Sequence, residues 1–393
     1  MSDCERPIRV LHLLPDLARG GGQQVVLDLV RGRDRNRTEI SVAVLSPPDE
    51  MRRAFSEVGA PPIDIGHRRG RGALTIGRVA WTLRRDDIDV LHVHSSPDRK
   101  IGQAAALVTG VPVVAHLHSP WNHRGIMLPD GAGPARRALG AVRGRARDGI
   151  EQRTVQAYIA AGPEVAAFHA PFVDAPLTVV RNGVSLDRFP HPAYDHSQRS
   201  DRRRELGLPA DEPLLVMVGR LARGKGQNAL VDMAADLPGR LLLVGDGPMR
   251  AELEAAVRAA GTEQRVEFLG DRDDVPDLLA VADAFVFASE SEGLPLAVLE
   301  AMAAGLPVVA MTLPGLVPLV VDGENGHLVA QGDRAAFVAR VGDVLTDRAA
   351  CRLGRAGRDM IAARFGVDAM VREVTGVYDE VMATSRAGRG KTA

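Results

Sequence analysis

The stretch that decides the fold reads DAFVFASESEGLPLAVLEAMAAGLPVVA and spans residues 283–310. Its first part, 283–288, is a short apolar run that ends in small residues, as a buried parallel strand does. Gly293 and Pro295 predict a loop, and residues 296–304 have the apolar spacing of a helix. A second apolar run closes the stretch. The order predicted is therefore strand, loop, helix and strand.

Two carboxylates, Glu292 and Glu300, lie eight residues apart in this stretch, one in the predicted loop and one about two turns into the helix. The backbone amides of Gly293, Leu294 and Leu296 are expected at the helix N-terminus, where anions are favoured. Acids that bind hydroxyl groups, beside amides that bind phosphate or sugar oxygens, indicate a site for a polyhydroxylated, phosphorylated ligand.

The same alternation of strand and helix extends through the chain on both sides, and it is lost between residues 191 and 212. We predict strands at 8–14, 40–45, 89–94, 111–116, 157–161, 179–180, 214–218, 241–244, 266–269, 283–288 and 307–310. We predict helices at 23–31, 198–206, 227–236, 248–260 and 296–304, and further helices from about residue 333.

This pattern predicts an α/β protein with two Rossmann-like, doubly wound parallel-sheet domains that face an inter-domain cleft. We place the domains at residues 1–195 and 196–370, with a C-terminal helix and tail at 371–393 that packs back on the N-terminal domain in one alternative. Ligands are expected in the cleft, at the carboxyl ends of strands.

Length and composition limit the class of protein. A chain of 393 residues is too long for one ordinary core, and a net charge of −1 gives no sign of nucleic-acid binding. Cys4 and Cys351 have no metal-binding or redox spacing, which favours a reduced, cytoplasmic setting. We see no signal peptide and no apolar run of about 20 residues. Peripheral contact with the inner face of the membrane is the alternative.

An arginine-rich segment at 124–153 departs from the alternating pattern. It is either a basic amphipathic helix on a membrane surface or a solvated helix or loop. Because its apolar face is thin and interrupted by glycines, it favours the solvated interpretation.

Residues 218–226 follow a predicted strand and precede a helix, with the sequence VGRLARGKG. Arg220 and Lys225 are two cations suited to a diphosphate, and glycines such as Gly219 let a ligand approach the backbone closely. A solvated loop with incidental bases is the alternative. The glycines at 20–22 and 245–247 do not have the spacing of a dinucleotide-binding fingerprint.

Four histidines, His92, His94, His116 and His118, lie near the carboxyl ends of two predicted strands. We expect strand alternation to send His116 and His118 to opposite faces, and likewise His92 and His94. No Cys or carboxylate cluster completes a ligand set, so we expect no metal site. A single histidine that hydrogen-bonds a substrate hydroxyl is the role expected for His118.

Taken together, these residues resemble family 4 of the retaining glycosyltransferases, which have the GT-B architecture, over about residues 8 to 375. The most specific match is the Glu-x7-Glu segment at 292–300 with the AMAAGLPVVA that follows. The resemblance implies catalytic roles for Glu292, His118, Arg220 and Lys225. It also implies a donor-binding set of Gly21, Gly22, Asn182, Gly219, Arg220, Lys225, Gly245, Leu269, Gly293, Leu294, Pro295, Leu296 and Glu300.

In that family Arg220 and Lys225 would hold the diphosphate, Glu300 the ribose and Glu292 the donor sugar. The resemblance implies retaining transfer from a UDP- or GDP-sugar to an acceptor hydroxyl, with no metal and no cofactor besides the nucleotide sugar as co-substrate. The acceptor would be a small molecule or a lipid-linked glycan, and we expect no nucleic-acid partner. Two alternatives remain open: a non-catalytic nucleotide-sugar-binding protein, and a nucleotide-sugar epimerase of the same fold.

The chain also departs from the family pattern. Where the family often has Gly-Gly-x-Pro-Glu, residues 314–318 read PGLVP, without the acid. Gln24 stands where a glutamate is frequent after the glycine pair. Neither change removes a donor-binding residue.

Overall fold

The structure is a computed structural model, and it describes residues 6–67, 72–94, 96–120, 149–189, 196–345 and 347–389. The chain divides into two units. The first comprises the residues up to Arg181 together with those from Asp368 onward, and the second comprises Asn182–Val367.

The first unit is built on a seven-stranded sheet in the order β3-β2-β1-β4-β5-β6-β7, in which every paired strand is parallel. The strands are β1 Ile8–Leu14, β2 Thr38–Val44, β3 Ile63–Asp64, β4 Val90–Val93, β5 Val113–Leu117, β6 Val155–Ala160 and β7 Leu177–Val179. The helices are Gly21–Gly32, Arg52–Glu57, Gly72–Arg85, Ser96–Thr109, Pro163–His169 and, at the C-terminus, Val367–Arg389.

The second unit contains a six-stranded sheet in the order β10-β9-β8-β11-β12-β13, again with parallel pairs. Its strands are β8 Leu214–Val218, β9 Arg240–Val244, β10 Val266–Gly270, β11 Ala284–Phe287, β12 Val308–Met311 and β13 Gly326–Val329. Its helices are His196–Glu205, Gln227–Asp232, Arg250–Ala260, Val275–Val281, Leu296–Ala303, Arg334–Val344 and Asp347–Arg364.

The central strands form the core of each unit. All four residues of β4, β11 and β12 are buried, because a parallel strand covered on both faces needs a continuous apolar run. In each sheet the strand order reverses beside the first strand, between β1 and β4 and between β8 and β11. Loops at the carboxyl ends of such neighbouring strands diverge and leave a crevice, which is where ligands bind in open α/β sheets. The two Rossmann-like sheets predicted from the sequence are confirmed.

The boundary between the units lies at Arg181–Asn182, before the predicted position at residue 195. Loss of apolar pattern was a poor guide, because residues 182–189 already pack in the second unit. Val184 N donates to Phe365 O at 2.8 Å, and Phe189 is fully buried. The C-terminal helix belongs to the first unit and does not form a separate segment.

Most predicted elements agree with the structure to within a few residues, but some differ. Not predicted were strand β3 and the helices Arg52–Glu57, Gly72–Arg85, Ser96–Thr109, Pro163–His169 and Val275–Val281. The helix predicted at 227–236 ends at Asp232, and the helix predicted to follow the early glycines includes Gly21 and Gly22 in its first turn. Strand β13 was not predicted, since Gly-His-Leu-Val is too short and mixed to show a period. Residues 121–148, which hold most of the arginine-rich segment, lie outside the described residues. None of the described helices has the length and hydropathy to cross a membrane.

Candidate active site

Three loops of the second unit meet at the carboxyl ends of its central strands. Gly219 N donates to Val244 O at 2.9 Å, and Gly245 N donates to Gly270 O at 2.7 Å. A Cβ atom on Gly245 would overlap the carbonyl oxygen of Gly219, so the loops after β8 and β9 approach as closely as backbone allows. The predicted residues Gly219 and Gly245 are therefore neighbours, and Leu269 lies half-buried near the end of the adjacent strand.

The loop after β8 is joined to the loop after β11 by an ion pair. Lys225 Nζ lies 2.7 Å from Glu292 Oε1, and Ser289 Oγ donates to the same oxygen at 3.1 Å. The backbones are also joined, because Glu290 N donates to Gly224 O at 2.9 Å. Two residues predicted to act on one ligand are thus in direct contact, although 67 positions separate them.

Gly226 makes this approach of the two loops sterically allowed. Its φ of +79° is a left-handed conformation that glycine adopts without strain, and a Cβ atom would overlap the carbonyl oxygen of Ala288. Arg220, in the same loop, has an exposed side chain that forms no ion pair with another described residue. The structure therefore brings Lys225, but not Arg220, into contact with Glu292.

Glu300 is buried on the helix Leu296–Ala303, where one of its oxygens lies 3.4 Å from Arg188 Nη2. Asn182 reaches the start of the same helix, because its Nδ2 donates to Leu294 O at 2.9 Å. Pro295 precedes the first helical residue, Leu296. The amides at the beginning of a helix lack intrahelical acceptors, so this end is suited to an anion.

Sequence reasoning missed two residues that hold this loop in place. Gln331 Nε2 donates to Ser289 O at 3.1 Å and to Thr312 O at 3.2 Å. A Cβ atom on Gly315 would overlap the carbonyl oxygen of Gly293, so the segment that departs from the family pattern packs against the candidate site. The departure of residues 314–318 from the family pattern was the sequence feature that could have indicated a role for Gly315. Gln331 has no local signal, because it follows a strand that was not predicted.

The first unit contains a pocket of about 200 Å³ at the carboxyl ends of β1, β4 and β5. A Cβ atom on Gly22 would lie 3.8 Å from the ring of His118, so the predicted glycine and histidine are close together. Arg99 is the charged residue of the lining, and no described carboxylate lines the pocket. The lining residues are Leu14, Pro15, Gly22, Gln23, His94, Arg99, His116, Leu117, His118, Ser119 and His169.

Five histidines form a stack beside and behind this pocket, and our expectation that each His-x-His pair diverges is wrong. Residues two apart on a strand share a face, whereas only immediate neighbours alternate. His92 and His94 stack at 4.4 Å between ring centroids, and His116 and His118 stack at 4.2 Å. His12, on the neighbouring strand β1, joins them at 4.6 Å from His92.

Burial keeps these rings neutral. It lowers the pKa of His12 to about 3 and that of His118 to about 4, because the charged imidazolium loses its hydration. The pKa values of His92, His94 and His116 are lowered well below 6.5 for the same reason, with repulsion among the histidines adding to the effect. At neutral pH the stack therefore presents hydrogen-bonding groups and no charge.

Two sets of three, His12 with His92 and His94, and His94 with His116 and His118, place their nitrogens within 4.8 Å of one another. A metal ion lies in the plane of each imidazole that binds it. These rings instead stack, with planes 16° apart for His116 and His118 and 17° apart for His94 and His118. Nearly parallel rings do not place one ion in the plane of all three. Four of the five rings instead lie within hydrogen-bonding distance of a neighbour, namely His12, His92, His94 and His118, whereas His116 has no hydrogen-bond partner among the described residues.

Two family models match the chain. The one described as Glycosyltransferase Family 4 matches residues 19–188, and the one described as Glycosyl transferases group 1 matches residues 198–360. A D-inositol 3-phosphate glycosyltransferase of Xylanimonas cellulosilytica is 32% identical over an alignment of 402 residues, which covers 93% of each chain. The lipopolysaccharide core biosynthesis glycosyltransferase LpsE of Rhizobium meliloti is 34% identical over 184 residues, 46% of this chain and 53% of that protein.

Among solved structures, Anabaena HepE in complex with UDP-glucose superimposes with a TM-score of 0.79 at 24% identity, covering 95% of this chain and 100% of that one. This likeness concerns the fold, and together with the two doubly wound sheets it confirms the GT-B fold. The near full-length relative and the two family models together establish the family. The chain belongs to the family 4 glycosyltransferases.

Proposed function

We propose that this glycosyltransferase is a retaining enzyme that moves a sugar from a UDP- or GDP-sugar to an acceptor hydroxyl, with no divalent metal and no cofactor besides the nucleotide sugar. The observation that carries the proposal is the contact of 2.7 Å between Lys225 Nζ and Glu292 Oε1. It puts a cation for phosphate and an acid for sugar hydroxyls next to each other at the carboxyl ends of β8 and β11.

In the proposed complex each part of the donor has its own partner in the second unit. Lys225, with Arg220 from the same exposed loop, binds the diphosphate. Glu300 accepts hydrogen bonds from the ribose, and Glu292 accepts them from the sugar. The amides at the start of the helix Leu296–Ala303 bind phosphate or sugar oxygens. Support for the donor class comes from Anabaena HepE, whose solved structure holds UDP-glucose.

The chemistry proposed for this site is stabilisation of the leaving group. As the bond between the sugar and the diphosphate breaks, negative charge grows on the phosphate oxygens. Preorganised cations and amides stabilise that charge, with about 3 kcal/mol for each well-placed group. The acceptor oxygen attacks the face that the diphosphate leaves, and its proton passes to a phosphate oxygen of the leaving group. The sugar thereby keeps its anomeric configuration, and no protein nucleophile is needed.

We propose that the pocket of the first unit binds the acceptor. Its histidines are neutral hydrogen-bonding groups, and Arg99 adds one positive charge with no described acid in the lining. A small molecule that carries hydroxyls and one anionic group fits this lining. The name of the Xylanimonas relative, which contains D-inositol 3-phosphate, supports the same class. A lipid-linked glycan is the competing class.

The test is an assay of nucleoside diphosphate release over a panel of UDP- and GDP-sugars, with EDTA present throughout. Acceptors are supplied as hydroxylated small molecules with and without a phosphate or carboxylate, and as lipid-linked glycans. Proton NMR of the product reports the anomeric configuration. Turnover that requires added metal would contradict the metal-free mechanism, and inversion at the anomeric carbon would contradict retention. Binding of a nucleotide sugar without any turnover would favour a non-catalytic protein.

A further inference from the structure

A continuous line of contacts joins the pocket of the first unit to the C-terminal helix. His118 Nε2 lies 3.1 Å from His94 Nδ1, and His94 Nε2 lies 2.9 Å from His12 Nδ1. His12 Nε2 then lies 3.2 Å from the hydroxyl of Tyr378, which lies 2.6 Å from His92 Nδ1. Apart from His118 at the pocket wall, these residues are buried.

Each ring in this line is neutral, so each imidazole has one N–H donor and one bare nitrogen acceptor. Both ring nitrogens of His12 and of His94 are engaged. A proton on one nitrogen of either ring therefore makes the other nitrogen an acceptor. That acceptor needs a donor on the next residue, so the tautomer of one ring determines the tautomer of the next. The tautomers of His12, His94 and His118 are coupled along the line.

We propose that Tyr378 is a positioning residue that, through His12 and His94, fixes which ring nitrogen of His118 carries the proton. Tyr378 lies on the helix Val367–Arg389 and is distant in sequence from the residues it would govern. The residues near His118 in sequence do not show which of its ring nitrogens carries the proton.

The end of the line farthest from the pocket, at His92, determines the direction in which the hydrogen bonds are donated. His92 Nε2 is buried and has no hydrogen-bond partner among the described residues. Among buried backbone groups a donor without an acceptor is rarer than an acceptor without a donor, and we apply the same preference to the imidazole of His92. His92 therefore carries its proton on Nδ1 and donates to Tyr378, whose hydroxyl donates to His12 Nε2. His12 Nδ1 then donates to His94 Nε2.

The last hydrogen bond follows because each neutral imidazole has one donor and one acceptor nitrogen. His94 Nδ1 donates to His118 Nε2, which leaves the proton of His118 on Nδ1. The consequence for transfer rests on the proposed function: His118 offers an N–H at Nδ1 and so donates to a substrate oxygen. It does not take the proton of the acceptor hydroxyl at that atom, and this agrees with deprotonation by the leaving phosphate.

The experiment is ¹H–¹⁵N correlation NMR through two-bond couplings on the full chain labelled at histidine, at pH 7.5. The resonances are assigned by single replacements of histidine. Wild type is expected to show one tautomer, with the proton on Nδ1, at His12, His92, His94 and His118. A proton on Nε2 of His118, or a mixture there in the wild type, overturns the proposal even if no variant can be prepared.

Tyr378→Phe tests the role of the hydroxyl while keeping the ring that packs edge-on against His92 at 5.7 Å. We expect a several-fold shift of the His118 tautomer ratio toward Nε2, the size that one lost hydrogen bond produces. Thr375→Val is the matched control, since it removes a hydroxyl from the same helix that donates to Val371 O and has no other partner among the described residues. Unchanged tautomers in Tyr378→Phe overturn the proposal.

Two further measurements distinguish the positioning role of Tyr378 from metal binding by the histidines and from the proposed function. A change in the His94 and His118 nitrogen shifts on treatment with a chelator would show that a metal holds these rings, and the proposal would fail. In the transfer assay we expect Tyr378→Phe to lower kcat and to leave the donor KM unchanged. If the wild-type tautomer pattern is found but no sugar is transferred, the proposed function fails and the positioning role of Tyr378 stands.

Discussion

Lys225 and Glu292 form an ion pair, with 2.7 Å between Nζ and Oε1, that joins the loop after β8 to the loop after β11. The side chains are 39% and 16% exposed, and partly exposed ion pairs contribute at most about 1 kcal/mol. A diphosphate carries more negative charge than one carboxylate. Lys225 can therefore turn from Glu292 to the donor at little cost, which leaves the Glu292 carboxylate available for sugar hydroxyls.

Lys225→Ala should reduce kcat about 100-fold or more, because one preorganised charge on the leaving group is lost. Lys225→Arg should retain a measurable part of the activity, since the positive charge remains. Arg223→Ala is the matched control in the same loop, where an exposed side chain pairs with Glu252 at 3.7 Å. Steady-state kinetics with a fixed acceptor measure all three. Equal losses for Lys225→Ala and Arg223→Ala would show that any positive charge in the loop has the same effect, and would contradict a specific role for Lys225 at the diphosphate.

Glu292→Ala should lose far more transfer than Glu300→Ala. Glu292 lies where the reacting sugar binds in the proposal, so about 100-fold in kcat/KM is expected. Glu300 binds a part of the donor that does not react, so about a tenfold rise in donor KM with little change in kcat is expected. The measurement is kcat and KM for both variants with one donor. Small and equal losses would contradict the roles assigned to the two acids.

Gly315→Ala should weaken donor binding and lower the melting temperature. A Cβ atom there would overlap the carbonyl oxygen of Gly293, so the donor loop must shift, and overpacking of this kind costs about 1–3 kcal/mol. Gly342→Ala is the control, because a Cβ atom on this residue of the helix Arg334–Val344 would meet open space. That change should be neutral or slightly stabilising. Isothermal titration with UDP and thermal melting would separate the two variants, and identical behaviour would argue against a close contact at Gly315.

Acid should destabilise the first unit well above the range in which carboxylates titrate. The native pKa of His12 is lowered to about 3, whereas an unfolded histidine has a pKa near 6.5. Between these values the unfolded state binds the proton and the native state does not. Stability is therefore full above about pH 6.5 and falls as the pH decreases. From pH 7.5 to pH 5 one such histidine loses about 2 kcal/mol.

Urea unfolding at pH 7.5, 6 and 5 checks this prediction. His12→Asn should remove about 2 kcal/mol of the pH dependence, whatever it does to stability at pH 7.5. A free energy of unfolding that stays constant across this range would show that the histidines are not buried in solution as they are in the structure.

Much of the second unit was predictable because its information is local. The apolar runs of β8, β9, β11 and β12, the loop at Gly293 and the helix that carries Glu300 each show a period within a short window. The pairing of Glu292 with Glu300 at a fixed spacing needs only one loop and two helical turns. The roles assigned to these residues remain predictions, which the variants above test.

The histidine stack depends on contacts between residues far apart in sequence, which no short stretch of sequence shows. His12, His92 and His116 lie on three strands, and only the sheet order that puts β4 between β1 and β5 stacks their rings. Tyr378 joins them from the other end of the chain. The error over the His-x-His pairs was one of strand geometry, since residues two apart share a face and the pattern could have predicted the stack.

By itself, the sequence determined the alternation of strand and helix, the two parallel sheets and the loop that carries Glu292. These depend on side-chain periodicity and turn chemistry, which act between residues near in sequence. The tertiary structure alone decided that Lys225 contacts Glu292, that Gly226 and Gly315 lie against the donor loop, and that the last helix reaches the histidines. Such contacts depend on strand order and on the approach of distant backbones, which no local pattern encodes.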